Sequence, residues 1–430
     1  MTARLTAAQA ERRYLLLSGL QWLPIGLVIP VMVLLMRARG IELPVIGALF
    51  AVYTVAVIVL ELPTGSLADV LGRRRTLLLS RLLGTASLLG MAVAADPLAF
   101  GVVMVVSGTA RALQSGPLEA WYVDIVRLAD PEADVRRGIS RAWAVEAAGI
   151  AIGAIVGGFL PGLVHGLPAD GIVVPLSVPY LAAAAIVAAG LAAVAVLMVE
   201  PRVDGPRPSA LGALRDVPAT IRGGIALAVG DRSVRLILGA MIAFGFALTA
   251  LEVVSPVQFA ELLGGEERAS GAYGVLVTLA FLGTAAGSAS APLAARLLGS
   301  GPRVAALMTG LIAAALAGMA IGSPFALVAV LYVAIYLFAG VAGPLKNEAL
   351  HQRVGPEQRA TLLSVASLAQ MAGGLVGNLV VPALAAISFG AGWLTAGALV
   401  LLGAVLLALL PRRVPARAAD GADAPEPVPG

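Results

Sequence analysis

The sequence predicts an all-α membrane protein, with twelve transmembrane helices arranged as two six-helix bundles. Three observations carry that expectation. Of 430 residues, 59% are apolar and only 13% are charged, against roughly 45–50% and about 25% in soluble domains. Apolar segments of spanning length, about 20 residues each, recur along the whole chain. A polar stretch in mid-chain divides them into two sets of six. A mean hydropathy of +0.95 excludes a water-soluble enzyme, a disordered tail protein and a secreted disulfide scaffold. The chain has no Cys and two His, His165 and His351, which removes disulfides, thiolate chemistry and an imidazole metal cluster.

The segments can be taken in order. After Glu11-Arg12-Arg13, an apolar run from Tyr14 to Met36 has no small-residue cleavage site and reads as span one, not a removable signal. Five more follow at about 43–63, 76–95, 98–123, 139–164 and 174–199. The second set falls at about 234–257, 271–294, 303–322, 325–348, 361–386 and 391–410. The expected organisation is therefore an N-terminal bundle over 1–199, a linker over 200–233, a C-terminal bundle over 234–410 and a disordered tail over 411–430. In the linker, Leu211, Leu214, Val217 and Ile221 have the spacing of an amphipathic helix on a membrane surface. The tail is rich in Pro, Ala and Asp.

Basic residues set the expected orientation. With the N-terminus inside, the outer loops hold only Arg37, Arg39 and Arg268, and nearly all other Arg lie on the inner side. The positive-inside rule then places both termini in the cytoplasm and the chain in a cell (inner) membrane. The net charge of +4 is explained by those loops, so no nucleic-acid partner is expected.

The halves share short motifs at one offset. Ser66-Leu-Ala-Asp69 ends span two and Pro292-Leu-Ala-Ala295 ends span eight; Ser115-Gly-Pro-Leu118 in span four returns as Ala342-Gly-Pro-Leu345 in span ten. Gly149-xxx-Gly153 in span five returns as Gly373-xxx-Gly377 in span eleven. Three matches offset by about 225 residues, each in the equivalent span, point to a six-plus-six duplication.

The strongest local signal is Gly65-Ser-Leu-Ala-Asp69-Val-Leu-Gly72-Arg73-Arg74-Arg75, between spans two and three. Its glycines permit a tight turn, and its acid and Arg cluster could form a charge network that breaks and reforms as the halves rock. A plain positive-inside anchor would explain the Arg run but not Gly65, Asp69 and Gly72 at those spacings. This segment resembles the GxxxDxxGRR/K signature of the major facilitator superfamily, and the twelve spans, duplicated halves and central loop extend the resemblance over almost the whole chain. The resemblance implies two six-helix bundles that alternately open a midplane cavity to either side. The equivalent stretch Ala291–Gly299 lacks both the acid and the twin Arg, so any such network is asymmetric.

Two further motifs resemble those of the superfamily. Arg111-Ala-Leu-Gln114-Ser-Gly116 is similar to its RxxQG pattern, with one residue inserted before the glycine. A charge inside a span costs at least about 2.5–3.5 kcal/mol on insertion scales, so Arg111 reads as functional, the bland alternative being a snorkelling Arg. The resemblance implies that such an Arg tunes a nearby carboxylate. Gly149-xxx-Gly153-Ala154-xx-Gly157-Gly158 resembles the antiporter signature GxxxGPxxGG, with Ala154 at the proline position. Small residues at that spacing also serve ordinary close packing of helices.

Proton coupling needs a carboxylate able to titrate within the membrane. Glu146 in span five and Glu252 in span seven lie deepest, and Glu146 is one turn before Gly149. Asp124, toward the inner end of span four, is placed to meet Arg73 in a structural ion pair, and Glu61 to meet Arg81. In the superfamily the cavity wall comes from spans one, four, seven and ten, which here offer Gln21, Trp22, Arg111, Gln114, Glu252, Tyr332 and Tyr336. So sparse a polar set in an apolar lining suits an amphipathic compound better than a sugar.

The expected function is secondary active transport: proton-coupled export of drug-like or amphipathic small molecules by a monomer in the lipid bilayer, without cofactor or metal. The alternatives are an importer or facilitator of a small metabolite, and a membrane enzyme or sensor. The sequence contains no nucleotide-binding Gly loop, HExxH or Ser/His/Asp arrangement in context, so an enzyme is not expected.

Overall fold

The computed structural model describes residues 5–164, 166–168, 171–200, 226, 230–321, 324–353 and 359–411, with 62–70 and 359–361 described by backbone alone. The expected surface helix of the linker and the expected disordered tail lie outside the described residues. Among the described residues, twelve helices are long and apolar enough to cross a membrane. Spans one to six are Ala7–Ala38, Leu43–Glu61, Arg73–Val93, Pro97–Ala129, Val135–Leu163 and Pro175–Leu197. Spans seven to twelve are Arg232–Leu263, Glu266–Leu298, Gly301–Ile321, Phe325–His351, Leu362–Ile387 and Phe389–Ala408. The helix of span two continues to Leu71. Span eight is longer than its hydropathy suggests, because Gly264 and Gly265 turn the chain so tightly that it begins at Glu266.

Span six opens with a 3₁₀ turn over Pro175–Ser177, and three further spans depart from regular α-helix within their length. Span one ends its first helix at Val28 and resumes at Met32, across Pro30, which has no N–H to donate. Span four breaks between Gln114 and Pro117, with Gly116 at a φ of 89° and Pro117 starting the next helix. Span seven holds a π-helical turn over Ala250–Val254 at its centre.

In hydrocarbon, apolar side chains gain little by leaving lipid, so helices associate where small residues let backbones approach. Span one crosses span five in this way. A methyl group added to Gly153 would lie 2.5 Å from the Leu23 carbonyl oxygen and 2.8 Å from the Leu27 nitrogen, and one on Gly26 would lie 2.9 Å from the Gly153 Cα. Spans seven and eleven repeat the arrangement, with Gly377 against Phe246 and Gly245 against Gln370. Spans two and four meet at Gly108 against Ala56 and Tyr53, and spans eight and ten at Gly287 and Gly340. Equivalent pairs of spans thus use equivalent contacts in the two halves.

The halves join through two seams, span five on span eight and span two on span eleven. Both seams are tight in the half of the molecule away from Leu5 and Pro411, the far half. Ser270 Oγ donates to the Gly158 carbonyl at 2.8 Å, and Thr278 Oγ1 to the Ala151 carbonyl at 3.0 Å. Asn378 Nδ2 donates to Thr54 Oγ1 at 3.2 Å, and Gly47 leaves room for Asn378 and Pro382. One buried core runs through both halves on the far side, from Val31 and Phe50 to Phe259 and Tyr332. On the near side the cores are separate, one around Trp121 and Tyr122 and the other around Ile237 and Leu345. The space between the bundles is therefore closed on the far side.

The glycine crossing generates a stability prediction. Gly157→Val would drive a branched side chain into the Leu27 backbone, whereas Gly162, in the same helix, has nothing within 4 Å. Overpacking of this kind costs about 1–3 kcal/mol, so the Gly157→Val protein should unfold several degrees lower in detergent than the Gly162→Val control. Equal thermal midpoints would show that this crossing is not tight.

Candidate functional site

The ionisable and aromatic residues of the spans converge on the space between the bundles. A cavity of about 790 Å³ is lined by spans of both halves. Its first-half wall carries Gln21, Trp22, Tyr53, Arg81, Arg111 and Gln114, and its second-half wall carries Glu252, Tyr273, Tyr332, Tyr336, Gln370 and Asn378. A second cavity of about 500 Å³ lies within the first half on the near side, lined by Tyr14, Arg73, Glu119, Asp124, Trp143 and Glu146. Arg111, Gln114, Gln21 and Trp22 line both. They form the partition between the two spaces.

The partition owes its chemistry to spans one, three and four. Arg111 lies one turn before the break at Ser115-Gly116, with its guanidinium carbon 6.0 Å from the centre of the Trp22 ring. Gln114 is held at the same break, and its Nε2 is a buried donor without a partner. Arg81 is 3% exposed, and its Nη2 donates to Gln21 Oε1 at 2.7 Å. A guanidinium so deep is tolerated because it faces a cavity and an amide acceptor, not lipid. Arg81 Nε has no hydrogen-bond partner and is buried on the side of Gly190 in span six.

The second-half wall is different in kind. Glu252 sits on the π-helical turn of span seven and projects into the main cavity, accessible there although it lies at mid-span. Such turns add a residue to the helix and frequently occur at functional sites. Here Glu252 is exposed toward the cavity while its neighbours Leu251 and Val253 are buried. Tyr53, Tyr273 and Tyr336 are within electrostatic reach of its carboxylate. Tyr332 packs between two of these rings, 6.0 Å from Tyr273 and 5.2 Å from Tyr336. Among the described residues Glu252 makes no ion pair.

Glu146 is half-buried on span five and faces the smaller cavity. Its charged neighbours are Arg111, across the partition, and Glu119. The two deep carboxylates are thus on opposite sides of Arg111: Glu146 toward the near-side vestibule, Glu252 in the space between the bundles.

The turn between spans two and three is built around a carboxylate outside the motif. Gly72 caps span three with a φ of 92°, and a Cβ there would lie 2.5 Å from Glu200 Oε1. Only glycine suits both constraints. The Arg74 N–H donates to the same oxygen at 3.4 Å. Arg73 makes an ion pair with Asp124, the partner expected from the sequence. Arg74 donates to the Ala195 carbonyl at 2.5 Å, Arg13 to the Leu197 carbonyl at 2.6 Å and Trp121 Nε1 to the Val199 carbonyl at 2.9 Å. The first two satisfy orphan carbonyls in the last turn of span six, and the third holds the chain just beyond it. Gly65 and Asp69 lie in the last turns of the span two helix, where the backbone alone is described.

The structure brings Gln21, Trp22, Arg111, Gln114, Glu252, Tyr332 and Tyr336 to one cavity, while Glu146 stands apart from it in the smaller one. Gly149, Gly153 and Gly157 pack on span one and Gly158 on span eight, so the glycine face serves both a crossing within the first half and a seam between halves. Span five runs on as helix through Ala154, with Pro161 further along. Sequence reasoning missed Tyr53, Gln370 and Asn378, whose spans two and eleven were not counted in the wall, and gave Arg81 only a pairing role. Arg81 could have been found by the rule that singled out Arg111, since it too is a charge inside an apolar span.

Comparison with known proteins gives a consistent result. The family model for the Major Facilitator Superfamily matches residues 14–343. No curated protein sequence matches the chain. Among solved structures, the fold is similar to the nucleoside transporter NupG, with 16% identity, a TM-score of 0.72, and 93% of this chain and 98% of that one covered. It is also similar to the peptide transporter POT in complex with sulfate, at 16% identity and a TM-score of 0.68, covering 93% and 94% of the two chains. The human organic anion transporter MFSD10 matches at 20% identity and a TM-score of 0.60, covering 93% and 99%. At these identities the likeness is one of fold. With the family model matched over most of its length, twelve spans and a cavity between two bundles, the chain belongs to the Major Facilitator Superfamily, a family of secondary transporters and not of enzymes.

Proposed function

We propose that this protein is a proton-coupled exporter of drug-like or amphipathic small molecules, with both termini in the cytoplasm. The reading rests chiefly on one observation: a largely apolar cavity between the bundles holds a few ionisable groups, and Arg111 links it to a second cavity containing Glu146. The apolar lining suits compounds that partition into membranes. In the described state the halves are sealed on the far side, so the cavity is accessible from the near side, the cytoplasm in this orientation. Substrate binding there, followed by opening of the two far-side seams and meeting of the near-side cores, delivers substrate outward. The equilibrium between those states shifts only by the difference in interaction energy that ligand and proton make in each.

Arg111 supplies the coupling in this scheme. While Glu146 is charged, it attracts Arg111 toward the vestibule; when Glu146 takes a proton that attraction is lost, and Arg111 is free to interact on the cavity side. A proton in one space thereby alters the charge presented in the other. The span two–three turn acts as the conformational gate, with Gly72, Arg73, Arg74 and Asp124 holding spans two, three, four and six together on the near side. Gly65 and Asp69 complete the motif. A second reading, uptake or facilitated diffusion of a small metabolite, is favoured by the amides of Gln21, Gln370 and Asn378 in the same cavity, which suit a more polar ligand.

Three measurements test these readings. In inverted vesicles, Glu146→Gln should abolish accumulation driven by a pH gradient by at least tenfold while leaving passive exchange of the same compound measurable. Undiminished proton-driven transport would move the coupling role to Glu252, and full activity of Glu252→Gln as well would leave facilitated diffusion. Arg73→Ala should lower the transport rate severalfold at normal expression, and Asp124→Asn should do the same, because each breaks the same ion pair. Normal rates in both would reduce the motif to a topology anchor. For orientation, the Cys-free chain allows a single Glu267→Cys label beside the span seven–eight turn; it should react with an impermeant thiol reagent on intact cells. Labelling only after permeabilisation would reverse the topology.

A further inference from the structure

The second-half wall of the main cavity presents Glu252, a carboxylate with no ion-pair partner among the described residues, in a lining that also holds Tyr53, Tyr273, Tyr332 and Tyr336. Glu252 is at mid-span, where an ionised group needs either an opposite charge or access to a water-filled space, and among the described residues it has no ion-pair partner. The two cations of the cavity lie on the opposite wall and are otherwise engaged. Arg81 donates to Gln21, and Arg111 lies near Trp22 with Glu146 in reach across the partition. The groups within electrostatic reach of Glu252 include Tyr53, Tyr273 and Tyr336. Tyr332 and Tyr336 pack 5.2 Å apart, and Tyr273 is 6.0 Å from Tyr332. Tyr53 approaches from the first half, and both it and Phe281 line the same space.

Aromatic faces attract cations through the ring quadrupole, most strongly where water is excluded, and suit organic ammonium and related groups that shed water easily. A carboxylate beside such rings adds the full opposite charge. Glu61 of the first half also lines the cavity, but no group of His, Cys, Asp or Glu able to hold a metal occurs among the described residues, so the wall offers a small hydrated metal ion no ligand cluster. We infer that Glu252, with Tyr53, Tyr273, Tyr332 and Tyr336, forms a recognition site for the cationic group of an amphipathic organic cation, so that the transporter selects lipophilic cations over anions of the same size and shape. This rests on the reading that the cavity between the bundles carries the substrate, but not on proton coupling. The cationic head docks against the second half, and the apolar body of the ligand lies along the lining of spans one and two. Because Tyr53 belongs to the first half and Glu252 to the second, a ligand held by both bridges the two bundles that must move.

Binding of an isosteric pair of ions tests the inference without any gradient. Tetraphenylphosphonium and tetraphenylborate have nearly the same shape and opposite charge. Equilibrium binding of each is measured on the purified full chain in detergent. The cation should bind saturably and at least tenfold more tightly than the anion. Glu252→Gln should weaken cation binding at least tenfold, and Glu252→Asp should recover part of that loss. Tyr336→Leu should weaken it severalfold, whereas Tyr336→Phe, which keeps the ring, should bind almost as the parent does. Equal affinities for the two ions, no saturable cation binding, or an unchanged cation affinity in Glu252→Gln would each overturn the assignment. Preference for the borate would point to Arg81 and Arg111 instead. If Glu252→Gln does not elute as a folded species, Glu252→Asp and Tyr336→Leu decide, and parent-like affinity in both overturns it. Cation binding that survives alongside proton-independent transport would fail only the coupling reading.

Discussion

The constraint on which this molecule depends is that lipid surrounds it. Burying a leucine against another helix gains little when the alternative is an acyl chain, so association rests on close backbone contact and internally satisfied polar groups. Gly26 against Gly153, Gly245 against Gln370, and Gly158 against Gly274 are the places where backbones come close enough for dense packing. Two of these crossings hold a half together and the third joins the halves. The seams between halves add hydroxyl donors to carbonyls, as in Ser270 to Gly158 and Thr278 to Ala151. The seams between the halves are thus built from the same close contacts and carbonyl hydrogen bonds as the crossings within each half.

The same constraint explains where irregular backbone occurs. In the hydrocarbon region, broken helix is tolerated only where it is buried or lines a cavity. Arg111 and Gln114 line both cavities beside the break in span four, and Glu252, on the π turn of span seven, lines the larger one. Two of the departures from regular helix lie next to a group that would be costly in lipid. The polar chemistry is thus confined to the interior, with a nearly unbroken apolar surface outside, including Leu98, Leu163 and Val196.

The duplicated halves are alike in packing and unlike in chemistry. Spans one and five, and spans seven and eleven, cross on glycines in the same manner. Yet the first half carries Arg81, Arg111, Glu146 and the charged turn between spans two and three, whereas the second supplies Glu252, Tyr273, Tyr332, Tyr336 and the buried Lys346. The near-side ion pairs Arg73–Asp124 and Arg141–Glu11 both belong to the first half. Symmetry supplies two bundles that can rock; the asymmetry gives the movement something to respond to.

Much of this was determined by the sequence alone. Twelve spans, their division into two sets, the small-residue faces of spans five and eleven and the meeting of Arg73 with Asp124 were legible from length, spacing and charge, because hydrocarbon leaves a spanning segment few alternatives to helix; which spans those glycine faces cross was not. The membership of the cavity wall was only half legible. Trp22, Arg111 and Tyr336 stood out as polar-capable residues in spans expected to face inward. Tyr53, Gln370 and Asn378 did not, because which face of a helix meets the cavity depends on tilt and rotation against its neighbours. The π turn beneath Glu252 and the approach of Glu200 to Gly72 were decided by tertiary structure. A single turn of altered winding changes the direction of a side chain without leaving a mark in composition, and Glu200 lies far from Gly72 in the chain. Hydropathy fixes how many times the chain crosses, while the separation of Glu146 from Glu252 by Arg111 exists only once the helices are packed.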